Sequence, residues 1–136
     1  MTEITLALPW PPSANQCYRL IRSGKLMGRV LMSAEGRAYR KAVDAVVRQA
    51  KGRMCWSTRL RVEILAYPPD RRARDIDNLF KAVLDALQAS GVFLNDSQID
   101  QLEIMRGEPV KGGSIVARVE QLHRPVSWRK ALGDDP

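Results

Sequence analysis

The stretch LRVEILAYPPDRRARDIDNLFKAVLDALQASG, residues 60–91, decides how this chain is read. Leu60, Val62, Ile64 and Ala66 alternate with Arg61, Glu63, Leu65 and Tyr67, the period-two pattern of a half-buried strand. Pro68 and Pro69 carry no amide hydrogen for a ladder and end it. From about Asn78 to Ser90 the apolar period becomes helical, with Leu79, Val83, Leu84 and Leu87 on one stripe. Gly91 then offers the left-handed conformation that closes a helix. A strand and a helix are thus joined by a strongly charged segment, Asp70 to Asp77.

The pattern extends in both directions. Ile4, Leu6 and Leu8 read as a first strand, stopped by Pro9, Pro11 and Pro12. Residues 13–32 are basic, contain Gly24 and Gly28, and read as a loop or loose hairpin. Ser33 fits the N-cap of a helix reaching about Ala50, in which Ala38, Ala42, Val46 and Ala50 recur at helical spacing. Ile99–Met105 and Ser114–Leu122 read as two further strands joined by a glycine-rich turn, Gly107–Gly113. At 136 residues the chain is one domain by length, able to fold without metal or disulfide support. The expected fold class is α+β: a mixed sheet of about four strands with helices packed on it. The expected domain covers residues 1–123, with a tail at 124–136.

Charge is unevenly spread. The net charge is +7, yet Arg19 to Arg61 alone holds 12 basic residues against two acids, Glu35 and Asp44. An excess of that size suits phosphate contacts, with binding that weakens steeply as salt rises. Cys17 and Cys55 lack Cys-x-x-Cys spacing, and the single histidine is His123, so a structural zinc site and histidine-based nucleophilic catalysis are both disfavoured. No N-terminal signal pattern and no apolar run near 18 residues is present, which gives the expectation of a soluble, intracellular protein with reduced thiols and no membrane partner.

The chemistry concentrates at Asp75-Ile76-Asp77. In a near-extended segment the two carboxylates point the same way and repel unless a cation lies between them. A hard divalent ion such as Mg²⁺ is the natural choice. Lys81, four residues past Asp77, can share its side of the helix. Asp96 is the candidate third ligand, provided that the third strand pairs beside the second and returns it to the neighbourhood. Each residue also has an ordinary reading. Asp77 or Asn78 can cap the helix, Lys81 can form a plain i,i+4 ion pair, and Asp96 can be a turn aspartate.

The ordered set of Leu8-Pro9-Trp10-Pro11-Pro12-Ser13, Ser33-Ala34-Glu35-Gly36, Pro69 through Lys81, Asp85-Ala86-Leu87, Gly91 with Leu94 and Asp96, and Lys111-Gly112-Gly113 resembles the RusA family of Holliday-junction resolvases. These are endodeoxyribonucleases of phage and prophage origin. The resemblance runs from about Leu8 to Val119. It implies that Asp75, Asp77 and Asp96 bind Mg²⁺, with Mn²⁺ an alternative, and that Lys81 is the catalytic lysine. Arg74 and Asn78 match positions adjoining the active site. It also implies an intertwined homodimer that nicks two opposing strands of a four-way junction in the bacterial cytoplasm, leaving 5′-phosphate and 3′-hydroxyl ends. DNA contacts are expected from Arg71, Arg72, Arg74, Asn78, Arg19, Arg22, Lys25, Arg29, Arg37, Arg40 and Lys111. Two departures stand out: Asn95 replaces an accessory acid, and the basic segment between Tyr18 and Ser33 is longer.

Three rival functions are open on sequence. They are a basic DNA-binding protein without catalysis, a broader nuclease for flaps or forks, and, more distantly, a magnesium phosphohydrolase of nucleotides.

Overall fold

Alternation along the chain builds a four-stranded sheet. In a computed structural model, describing residues 2–123 together with Gly133, the strands are β1 (Glu3–Leu8), β4 (Arg59–Tyr67), β5 (Ile99–Arg106) and β6 (Ser114–Leu122). Apart from that glycine, the tail and its Trp128 lie outside the described residues. The sheet order is β1-β6-β4-β5. β6 pairs antiparallel with both β1 and β4, and β4 pairs parallel with β5, so the sheet is mixed as expected. Two short strands, β2 (Tyr18–Leu20) and β3 (Val30–Met32), form a separate antiparallel hairpin. The basic segment is therefore a hairpin, entered through a one-turn helix α1 (Ala14–Cys17). Gly24 and Gly28, at φ +84° and +86°, supply its reversals.

The helices α2 (Ala34–Gln49) and α3 (Phe80–Ala89) cover one face of the sheet. Leu6, Leu60, Val62, Ile64, Ile115 and Val119 point into the core from the strands, and Val83, Leu87, Val43 and Val47 meet them from the helices. The apolar stripe of α2 differs from the expected one. Gly36, Tyr39, Val43 and Val47 are buried, whereas Ala38, Ala42 and Ala50 are exposed. Alanines at helical spacing are small enough to tolerate either side, and the larger Tyr39 and valines gain more from burial. Gly36 is required at this packing. A Cβ there would lie 2.6 Å from the Cys17 carbonyl oxygen.

The caps follow the sequence. Ser33 Oγ accepts the Gly36 amide at 3.1 Å and faces the Cys17 carbonyl oxygen, stitching the hairpin to α2. Gly91 takes φ +80° after α3. The opposite face of the sheet is polar. Arg61 pairs with Glu63 at 2.5 Å, and Arg118 reaches Glu3 and Glu63. Arg59 pairs with Asp100 and Arg48 with Asp44. These three arginines of the basic stretch are therefore partnered by acids and do not stand ready for phosphate.

Candidate nucleic-acid interface and active site

The loop between β4 and α3 is shaped by its own charges. Asp70 Oδ1 lies 2.7 Å from Arg74 Nη1 and accepts the Arg72 amide at 2.9 Å. The Arg74 hydrogen bond, with the Arg72 amide second, holds the Asp70 carboxyl down at about 2. Arg106, at the end of β5, donates from Nη2 to the Arg74 carbonyl oxygen at 2.6 Å. The Arg74 guanidinium also sits 5.9 Å from the centroid of Trp10. Trp10 is packed against Gly113, where a Cβ would come within 2.7 Å of it. Arg74 is thus an ion-pair partner of Asp70 as well as part of the groove wall.

Against this loop lies a groove of about 1020 Å³, with Trp10, Arg72, Arg74, Asp75, Asn78 and Arg106 in its walls. A neighbouring hollow of about 480 Å³ shares most of these residues and adds Arg71. Trp10, Arg106 and Glu35 were not picked from sequence. Trp10 stood in a proline-rich segment read as a strand stop, and Arg106 looked like a strand terminus. Only the fold brings them to one wall.

Asp75 and Asp77 are exposed. A 3₁₀ turn, Ile76–Leu79, begins directly after Asp75, so the pair spans a bend and is not extended. The capping alternative fails. Neither that turn nor α3 has a side-chain cap bond. Both carboxylates are without a hydrogen-bond or ion-pair partner among the described residues. The two exposed carboxylates, two residues apart, lie in the same loop as Arg71 and Arg72, whose side chains have no ion pair among the described residues.

Asp96 is placed elsewhere. The third strand does pair beside the second, but in parallel, with Leu60 opposite Ile99 and Ala66 opposite Arg106. Asp96 precedes Ile99, whereas Asp75 shares a groove with Arg106. The eight residues of β5 span about 25 Å, and that length separates the two positions within one chain. Accordingly, no group of three Asp, Glu, His or Cys side chains gathers as a metal site among the described residues. Among the described residues a single copy offers the Asp75–Asp77 pair and does not fit a three-carboxylate magnesium site by itself.

The loop bearing Asp96 is nonetheless built firmly. Buried Gln98 donates from Nε2 to the carbonyl oxygens of Trp56 and Thr58 at 2.9 and 2.8 Å, and its Oε1 accepts the Leu94 and Asn95 amides. Asn95 Oδ1 accepts the Ser97 amide at 2.8 Å, and Gln88 Oε1 accepts that of Asp96 at 3.0 Å. Asn95 therefore serves as a cap where an accessory acid was expected in the family.

Lys81 points to Asp85, with Nζ 3.6 Å from Oδ2, and lies 4.7 Å over the Tyr18 ring. Arg19, Arg22, Lys25 and Arg29 project from the hairpin, and Arg40 is exposed on α2. Arg37 donates to the Met32 carbonyl oxygen at 2.8 Å. Lys111 is exposed in the β5–β6 turn. Among the described residues no helix is long and apolar enough to cross a membrane.

Fold and site together define a basic α+β domain with an exposed acidic pair, Asp75 and Asp77, at the edge of an arginine-lined groove that Asp75 enters. A model of the family described as endodeoxyribonuclease RusA matches residues 9–120. The chain is 36% identical over 122 residues to the crossover junction endodeoxyribonuclease RusA of Shigella sonnei, covering 90% of this chain and 98% of that protein. It is similarly related to the enzymes of the same name from Enterobacteria phage HK97, at 37%, and Enterobacteria phage 82, at 35%, with the same coverage. The chain belongs to the RusA endodeoxyribonuclease family.

Proposed function

We propose that this protein is a Mg²⁺-dependent endodeoxyribonuclease that resolves four-way DNA junctions by paired, symmetric nicks, acting as a homodimer inside the bacterial cell. The observation that carries it is the exposed Asp75–Asp77 pair, unpartnered among the described residues, with Asp75 lining a groove walled by Arg72 and Arg106, in a chain whose relatives are named crossover junction endodeoxyribonucleases. The arginines bind backbone phosphates, which sets position and affinity without reading sequence. Lys81 donates to the scissile phosphate and offsets the negative charge that grows there. Mg²⁺, or Mn²⁺ in its place, would supply a water of lowered pKa and neutralise the phosphate at this site.

The separation of Asp75 from Asp96 bears on assembly. A three-carboxylate site needs Asp96 from a second copy, set beside the Asp75–Asp77 pair of the first. A two-fold dimer would then hold two such sites, matching a junction that must be cut twice. Loss of the dimer would remove the site as well as the pairing of the nicks.

The test is cleavage of a synthetic four-way junction with and without Mg²⁺. Nicking by the native protein, lost in Asp77→Asn with junction binding retained, is expected. Equal cleavage of junction, Y-form and linear duplex would replace the resolvase reading with a broader nuclease. Junction binding without any nicking would leave a DNA-binding protein.

A further inference from the structure

Lys81 is the most exposed member of a three-residue cluster. Its side chain is 62% exposed, against 21% for Asp85. Tyr18, the first residue of β2, donates its hydroxyl to Asp85 Oδ2, the same oxygen that faces the Lys81 ammonium. The Tyr18 ring covers the ammonium from another side, 4.7 Å from its centroid. Burial first, then the bond to Asp85, pushes the Tyr18 phenol well above its ordinary value, so it remains a proton donor through the neutral range.

A free lysine loses rotamer entropy when it is fixed. A lysine that must meet a phosphate in one orientation gains from being seated beforehand. The geometry here seats without sealing. At 3.6 Å the ammonium is held by charge and by the ring face, beyond a normal hydrogen bond. Its donors stay open to an incoming oxygen. Asp85 is fixed by Tyr18 as well as by its own helix, so the seat does not drift with the lysine.

We propose that Tyr18 and Asp85 are positioning residues that seat the Lys81 ammonium for phosphate. Because Tyr18 opens the β2–β3 hairpin, the same contact ties the basic hairpin to the lysine. The proposal rests on the assignment of Lys81 to catalysis, made above.

The seat is read directly by NMR of the intact protein after reductive ¹³C-methylation of its lysines, which keeps their charge. The Lys81 signal, assigned by its loss in Lys81→Arg, should show an upfield ring-current shift. That shift should vanish in Tyr18→Leu and diminish in Asp85→Asn. Tyr18→Phe, which keeps the ring and removes the hydroxyl, should move it less than Tyr18→Leu. In junction cleavage under single turnover, Asp85→Asn should slow nicking about ten- to a hundred-fold with junction Kd unchanged. Asp85→Asn added to Lys81→Ala should slow nothing further. An Asp85→Asn or Tyr18→Leu protein with an unmoved Lys81 signal overturns the proposal. So does a rate loss matched by an equal loss of binding. Full activity in Lys81→Ala would instead overturn the assignment of Lys81, and the ring-current shift would still report the seat separately.

Discussion

Asp75 and Asp96 stand at opposite ends of the parallel β4–β5 pair. Parallel pairing fixes this. The chain leaves β4 at Tyr67, passes Asp75 and Asp77, and must travel back along α3 before β5 can start beside Leu60. An acid just before β5 therefore belongs to the far end of the sheet, whatever the intervening loop does.

Subunit mixing tests whether the acids act across two copies. Asp77→Asn and Asp96→Asn proteins, each inactive alone, should recover activity when co-refolded. In a mixed dimer one composite site carries both substitutions and the other carries neither. With random pairing, about a quarter of native site density returns, and the product is a single nick where the native enzyme makes two. Sites confined to one chain would give no recovery, because every site would then contain a substitution.

Arg106→Ala removes the donor to the Arg74 carbonyl oxygen and one basic wall of the groove. The bond is exposed, so the loss of stability should be about 1 kcal/mol or less. Junction affinity should fall more clearly, and the slope of log affinity against log salt should shrink by about one. Urea unfolding and a salt series of binding isotherms check the two parts. A large stability loss with unchanged salt slope would make Arg106 purely structural.

The strands were legible because their alternation is strict. Leu60 to Ala66 and Ile115 to Val119 each bury one face fully and leave the other half-buried, in strict alternation. The buried side of α2 was not, since its alanines carry too little area to decide a face while Gly36 is chosen by the close approach of the Cys17 carbonyl. Within the candidate site, Asp75 and Asp77 were visible as neighbours in sequence. Strand direction was invisible to periodicity, so pairing of the two strands alone did not say at which end of the sheet Asp96 lies. The role of Arg74 was also hidden, because Asp70 is four residues away in a loop with no helical register to predict their pairing.

Gln98 should prove the most sensitive polar side chain of the Asp96 loop. Its amide joins Trp56 and Thr58 to Leu94 and Asn95. Gln98→Ala leaves the Asn95 amide and the Thr58 carbonyl without the Gln98 partner, at about 1–3 kcal/mol, while the Leu94 amide still donates to the Trp56 carbonyl oxygen. Chemical denaturation measures the loss. Cleavage should fall further than stability explains, since Asp96 depends on this loop. A neutral substitution would show that the Trp56–Phe93 bridge, the Asn95 cap and the Gln88 contact hold the loop without Gln98.

Asp70 sets the acid limit of the arginine loop. Its carboxyl is lowered from 3.8 to about 2 by Arg74 and then by the Arg72 amide. A depressed folded-state value means that the contribution to loop order is complete above the unfolded value near 4. It is lost as pH falls through about 2. The Asp70–Arg74 pair should therefore stay closed at every pH at which cleavage can be assayed. A ¹³C carboxyl titration should find Asp70 well below the ordinary aspartate range, and Arg74→Gln should return it toward that range. In Asp70→Asn, Arg74 loses its acid and becomes available to phosphate. Junction binding should then tighten at low salt and its salt slope should steepen by about one. Weaker binding would mean that the pair is needed to hold Arg74 against Trp10 in the groove wall.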